Sequence, residues 1–237
     1  MSSLAKSVVV HRASERGVAD HGWLKARHSF SFGSYFNPEK MGFGTLRVIN
    51  DDIIAAGKGF PTHPHRNMEI ITVPLTGSLT HRDSEGNEGT IKAGEIQVMS
   101  AGTGIKHSEY NSSSEELNLL QIWIIPKSEN TKPRYAQSQF DWEKSKFTTL
   151  VSPEEGNGIV INQDAFINLL NLGEGESVIY RKHIGNNVTY VYLIDGEGTF
   201  GETDVSERDA VGFPPSVKAI EIRADSKIKV LVFEVPL

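Results

Sequence analysis

The 237-residue chain contains no cysteine. Disulfides, thiolate metal sites and cysteine nucleophiles are thereby excluded. A thiol-free chain is consistent with a reducing cytoplasm, the expected location. A positive surplus is missing too: 24 Lys and Arg stand against 30 Asp and Glu, a net charge of -6 spread along the chain without a basic block. The electrostatic footprint of a phosphate binder is absent, so direct contact with nucleic acid is not expected. No apolar run approaches the roughly 18 residues of a membrane span. The N-terminal MSSLAKSVVVHRASERG has an apolar run of only about four residues and no cleavage pattern, so no signal peptide and no membrane partner are expected. Long stretches with a helical apolar period are also lacking.

What is present is the vocabulary of an all-β protein. The 22 Gly and 10 Pro punctuate short runs of Val, Ile, Phe, Tyr and Thr, which are strand formers. The first half offers Thr45–Ile49, Ile53–Ala56, Met68–Leu75, Gly89–Ile91, Ile96–Met99 and Leu117–Ile125 as strands. The second half offers Phe166–Leu172, Ser177–Lys182, Thr189–Ile194, Ala210–Phe213, Ala219–Ile222 and Lys227–Val235. Between them, Tyr135–Lys146 suits a helical turn or two. VPLTGSL, GEIQVMSAGT and LLQIWIIP in the first half find YLIDGEGTF, RDAVGFPPS and KVLVFEVP in the same order in the second. This is a weak internal duplication, read as two tandem barrels with a linker near 126–146.

Two short pairs carry the chemistry. GFPTHPHRNMEI holds His63 and His65. Side chains two apart on extended chain share a face, and Pro64 biases His63 away from helix. GIKHSEYN holds His107 and Glu109, again two apart. Facing each other from neighbouring strands, the pairs supply three nitrogens and one carboxylate oxygen. That donor set suits Fe(II), Mn, Co, Ni, Cu(II) or Zn. Four protein ligands on a six-coordinate ion leave positions open for small molecules, which favours catalysis or sensing over a closed structural site. Either pair alone also fits a surface pair or a polar loop.

The resemblance to a known family rests on longer stretches. GFPTHPHRNMEIITVPLTG resembles the first cupin motif, and GEIQVMSAGTGIKHSEYN resembles the second in the form pirins use. HSFSFGSYFNPEKMGFGTLRVINDD, LQIWIIP and KPRYAQ are similar to pirins as well. The likeness is detailed over residues 21–137 and looser beyond. It implies a bicupin of two jelly-roll barrels: residues 1–135 as a metal-binding cupin and 136–237 as a second, metal-free cupin. It implies one divalent ion per chain, with Fe(II) first and Ni, Co, Mn, Cu or Zn as alternatives. His63, His65, His107 and Glu109 are the implied ligands, which makes Glu69 a supporting residue rather than a fifth ligand.

By the same resemblance the expected activity is that of a quercetin 2,3-dioxygenase. Dioxygen opens the heterocycle of a flavonol, and carbon monoxide leaves with a depside. Glu109 is then a ligand and the candidate base for the 3-hydroxyl proton. The alternative is a non-enzymatic, iron-dependent redox regulator acting through a protein partner. A monomer is expected.

Other residues draw weaker expectations. His28, Phe30, Phe32, Tyr35 and Phe36 suit packing, with one or two at a pocket mouth. His81 suits a polar turn or a supporting contact, and His11 and His21 suit exposure. Gly102 and Gly104 suit a tight turn delivering His107. Gln121 and Trp123 share a strand face with Ile125. In the second half, His183 and the run Ala219-Ile220-Glu221 stand where the two motifs would fall.

Overall fold

A computed structural model describes residues 7–143 and 146–237. Strands are numbered in chain order. A seven-stranded sheet in the first half contains β2 (Gly17–Asp20), β3 (Leu24–His28), β4 (Leu46–Ile54), β6 (Glu69–Thr76), β9 (Glu95–Ser100), β11 (Leu117–Ile124) and β12 (Arg134–Gln139). Its order is β12-β9-β6-β11-β4-β3-β2. A four-stranded sheet closes over it, from β5 (Gly59–His65), β7 (Ser78–Asp83), β8 (Glu88–Lys92) and β10 (Ile105–Tyr110), in the order β5-β10-β7-β8.

The second half repeats the plan. Its seven strands are β1 (Val9–His11), β13 (Phe147–Ser152), β14 (Ile159–Val160), β15 (Phe166–Leu172), β17 (Val188–Asp195), β20 (Ala210–Phe213) and β22 (Ile228–Val235), in the order β1-β20-β17-β22-β15-β13-β14. Its four are β16 (Ser177–Arg181), β18 (Glu197–Phe200), β19 (Thr203–Ser206) and β21 (Ala219–Ala224), in the order β16-β21-β18-β19. The expected all-β pair of barrels is present. Among the described residues the helical content is one 3-10 turn, Ala13–Glu15, and no helix is long and apolar enough to cross a membrane.

Three expectations fail. Tyr135 and its neighbours are not helical: β12 pairs in register with β9, Tyr135 opposite Met99. The free edge of β9 supplies ladder bonds that a short isolated helix cannot replace. Lys144 and Ser145, inside the same expected segment, lie outside the described residues. The separate strands expected at Thr45–Ile49 and Ile53–Ala56 are one strand, β4, since Asp51 and Asp52 are held by the sheet rather than marking a turn. His11 is buried, not exposed. It ends β1, which pairs with β20 of the second-half sheet, and its Nδ1 is 2.9 Å from the Tyr190 hydroxyl.

The seven-stranded sheets pack face to face. Ile71, Val73, Leu120 and Ile122 of one meet Tyr190, Tyr192, Leu231 and Phe233 of the other in one core. Alternation along each strand decides the rest: Ile71 faces this core, whereas Thr72 points into the first barrel and reaches Glu109. Inside the second barrel a contiguous apolar cluster fills the space, from Tyr180, Phe200, Ile220, Ile222 and Val232 among others. Inside the first barrel the apolar clusters are smaller and separate, and a cavity stays open.

Candidate metal centre and its cavity

The two motif pairs fall on adjacent antiparallel strands. His107 of β10 sits directly opposite His63 of β5, and Ile105 opposite His65. A bulge lies between His107 and Glu109, a common device for re-aiming a side chain beside a site. Buried Ile105, His107 and Glu109 alternate with exposed Lys106 and Tyr110, so His107 and Glu109 both point inward. The three imidazoles converge: ring centroids are 4.4 Å apart for His63 and His107, 4.8 Å for His63 and His65, and 4.9 Å for His65 and His107. One donor atom from each lies within 4.8 Å of the others. His81, His107 and Glu109 form a second triplet within the same limit, so His107 is shared.

Two glycines make this approach possible. A Cβ on Gly59 would stand 2.2 Å from the carbonyl oxygen of Glu109. Gly102 has φ +47, and a Cβ there would stand 2.0 Å from the Thr131 carbonyl oxygen. The turn into β10 therefore requires glycine at 102.

Hydrogen bonds assign the tautomers. His63 Nδ1 donates to the Pro61 carbonyl at 2.8 Å, leaving Nε2 as its lone pair. His81 Nε2 donates to Asp83 Oδ2 at 3.0 Å. Its Nδ1 is then an acceptor, and His107 Nδ1 donates to it at 3.4 Å. His107 Nε2 is left buried with no hydrogen-bond partner among the described residues. A buried lone pair on a histidine held from behind in this way is the usual arrangement of a metal-binding imidazole.

The electrostatics agree. Burial, then the neighbouring His63, pulls His65 down to about 4. Burial, then His63 and His65, pulls His107 down to about 2. Both rings are neutral at neutral pH, and neutral imidazoles are what a cation binds. Glu109 is fully buried, and burial pushes its carboxyl up to about 7 against the hydrogen bonds it receives. Those come from Thr72 Oγ1 to Oε1 at 3.2 Å and Gln121 Nε2 to Oε2 at 2.8 Å. A carboxyl raised by burial beside neutral imidazoles is a site lacking positive charge, and a divalent ion fits it.

The remaining sequence candidates separate cleanly. Glu69 is buried and accepts from Ser100 Oγ at 2.7 Å and from the Asn162 amide at 3.3 Å. It ties the two halves together. Gln121 and Trp123 line the cavity with His63 and His65, whereas Ile125 lies past the end of β11 and is exposed. His28 and Phe32 reach the cavity wall, Phe30 belongs to the inter-sheet core, and Phe36 is exposed. His21 is exposed at the mouth. The cavity measures about 420 Å³ and is walled by Phe32, Phe60, Trp123, Leu24 and Ala26 around a few polar groups. That is the size and character of a small-molecule site.

Sequence reasoning missed Asp52 and Asp83. Asp83 had a visible signal, His81-x-Asp83 on one strand face. Asp52 had a weaker one, its alternation with Asn50 along β4. In the second half the run Ala219-Ile220-Glu221 lies on β21, which pairs with β16 as β10 pairs with β5. Strand parity turns Val178 and Tyr180 of β16, and Ile220, Ile222 and Ala224 of β21, toward the apolar interior. Glu221 points outward and is exposed. His183 follows the end of β16, stacks on Phe166 at 4.0 Å and bonds Glu234 at 3.0 Å.

Comparison with known proteins gives the same picture. The pirin family model matches residues 9–124, and a quercetinase C-terminal cupin domain matches residues 149–235. A protein of Escherichia coli K12 named quercetin 2,3-dioxygenase is 43% identical over 230 residues, covering 97% of this chain and 99% of that protein. A pirin-like protein of Caulobacter vibrioides is 48% identical over 168 residues, 69% of this chain and 72% of that protein. The crystal structure of the E. coli bacterial pirin YhhW in complex with nickel(II) superposes with a TM-score of 0.91 at 41% identity, covering 97% of this chain and 99% of that one. With both barrels matched and the identity sustained along the chain, this protein belongs to the pirin family of bicupins.

Proposed function

We propose that this chain is a dioxygenase of the quercetin 2,3-dioxygenase type, cleaving a flavonol with O2 at one divalent ion, Fe(II) first among the candidates. His63, His65, His107 and Glu109 would hold the ion. The observation that carries the reading is the orphaned Nε2 of His107, buried where it converges with His63 and His65, which line an apolar cavity. The names of the relatives point the same way. A bound ion supplies Lewis acidity to an enol oxygen and a route for electrons to dioxygen.

The chain's own residues do the rest. Thr72 and Gln121 fix the Glu109 carboxylate from behind, so its free lone pairs face the cavity. Its place on the cavity wall, with lone pairs left free by Thr72 and Gln121, suits it to take the 3-hydroxyl proton of a flavonol. Trp123, Phe32 and Phe60 present flat apolar surface to aromatic rings and exclude water. The overall change, flavonol and O2 to depside and carbon monoxide, balances without a further reductant.

The test is direct. Load the protein with Fe(II), add quercetin under oxygen, and follow loss of the flavonol absorbance and release of carbon monoxide. Absence of turnover with Fe, Ni, Co, Mn and Cu, each shown to be bound, refutes the reading. A stoichiometric protein partner on a catalytically silent holoprotein would instead support the regulator.

A further inference from the structure

Asp51 and Asp52 are consecutive on β4 and have opposite fates. Asp51 faces the second half and is fully engaged: Arg208 at 3.3 Å, Arg16 at 3.5 Å and Asn118 Nδ2 at 2.7 Å. Asp52 faces the first barrel's cavity. Its register partners are Ala26 on β3 and Leu119 on β11. The packed residues around it are Leu24, Ala26, Ile54, Leu117 and Leu119. Asp52 is 4% exposed, and its Oδ1 is buried with no hydrogen-bond partner among the described residues.

A lone carboxyl in apolar surroundings destabilises a fold. A leucine or valine at this place would pack better. Residues that cost stability and line a ligand cavity are the ones retained for function. Burial, then Asp51 and Glu109, pushes Asp52 up to about 7, so near neutral pH it exists in large part as the acid, able both to donate and to accept.

Two other buried polar groups on the wall are already engaged. Glu109 is held by Thr72 and Gln121, and Asn50 accepts from His28 Nδ1 at 2.7 Å. Trp123 Nε1 is also buried without a partner, but an indole only donates, and its ring packs on His65 at 5.0 Å, on the metal side. The aromatic walls accept any flat ring and cannot count hydroxyl groups.

We propose that Asp52 is the specificity-determining residue of this cavity, hydrogen-bonding a hydroxyl that the substrate carries away from its metal-binding oxygens. This rests on the flavonol reading above. A site built to bond a hydroxyl discriminates strongly against the analogue lacking it, because the buried partner is then left unpaired.

The experiment compares two ligands on Ni(II)-loaded protein without oxygen, by quenching of tryptophan fluorescence. Quercetin carries hydroxyls on both outer ring systems, whereas 3-hydroxyflavone keeps the metal-binding pair and has no other. Wild type is expected to prefer quercetin by at least about tenfold. Asp52→Leu should bring the two affinities within about twofold, by weakening quercetin alone, with a melting temperature no lower than wild type. Asp52→Asn, which keeps a donor and an acceptor, should retain most of the preference. A preference surviving in Asp52→Leu overturns the assignment. So does equal weakening of both ligands, or a lowered melting temperature in both variants, which would make the carboxyl structural. Wild type that binds neither compound defeats the flavonol reading itself, and the assignment with it.

Discussion

His81 does not face the cavity, yet it should control metal affinity. It receives the Nδ1–H of His107 at 3.4 Å and passes its own Nε2–H to Asp83 at 3.0 Å. Asp83 is fixed in turn by the Glu85 and Asn87 amides, each at 3.0 Å. The His81 ring is fully buried and stacks on Tyr135 with centroids 4.8 Å apart. His81→Phe keeps an aromatic ring against Tyr135 but removes both the acceptor for His107 and the donor to Asp83. The His107 tautomer is then unassigned and its Nδ1–H unpaired. Loss of such an outer contact lowers metal affinity about 10- to 100-fold, or ~1.4–2.7 kcal/mol. The unpaired buried N–H should also lower the stability of the metal-free protein by about 1–3 kcal/mol. Competition of Ni(II) or Fe(II) against a calibrated chelator measures the first, and urea unfolding of the metal-free protein measures the second. A folded His81→Phe variant that binds metal as tightly as wild type refutes the relay.

Two further predictions follow from the same geometry. His63→Ala and Glu109→Ala should each reduce metal occupancy on purification by well over the effect of His81→Phe, as measured by elemental analysis; unchanged occupancy in both defeats the ligand assignment. Asp52 should make stability fall as pH rises. Its folded carboxyl titrates near 7 and its ordinary value is 3.8. Between those values the unfolded chain has lost the proton and the folded one has kept it, so unfolding releases a proton and rising pH favours it. The loss is on the order of 4 kcal/mol across that window and levels off above it. Asp52→Asn removes this term, so its stability advantage over wild type should grow between pH 4.5 and 7.5. A difference that does not change with pH refutes the placement of an unpaired acid there.

The site was more legible in the sequence than the fold that carries it. His63 with His65 and His107 with Glu109 can be read because strand periodicity is local: two residues apart means one face, whatever the partner strand. The pairing of β5 with β10 is not local, and neither is the capture of β1 by the second-half sheet. The short run around Val9 contains nothing that names β20 as its neighbour, and for that reason His11 read as exposed. Tyr135 failed for a related reason, since only the open edge of β9 makes its segment a strand. In the second half Ile220 and Ile222 face inward and Glu221 outward, a facing that a motif comparison without register does not show. Asp52 was missed because its burial comes from β3 and β11, its non-local neighbours, and only the sheet shows that Asp51 and Asp52 face opposite ways.

The two barrels also show how to tell a structural buried acid from a functional one. Glu234, on β22 in the second half, is fully buried. Its carboxylate accepts from the Tyr180 hydroxyl at 2.9 Å, His183 Nδ1 at 3.0 Å, the His183 amide at 2.8 Å and the Ile184 amide at 2.6 Å. Each oxygen is used, and the interior beside it is closed by packed apolar side chains. Such a network locks a loop to a sheet and leaves nothing for a ligand. In the first barrel the same fold keeps a cavity, a histidine nitrogen and an aspartate oxygen without hydrogen-bond partners among the described residues. Stability argues against all three. The large inter-sheet core shared by both halves and the filled second barrel offset that cost, so one barrel can stay open because the other is solid. Read this way, the second barrel would support the proposed chemistry without touching it, and the unpartnered atoms of the first mark where the proposed metal and substrate would sit.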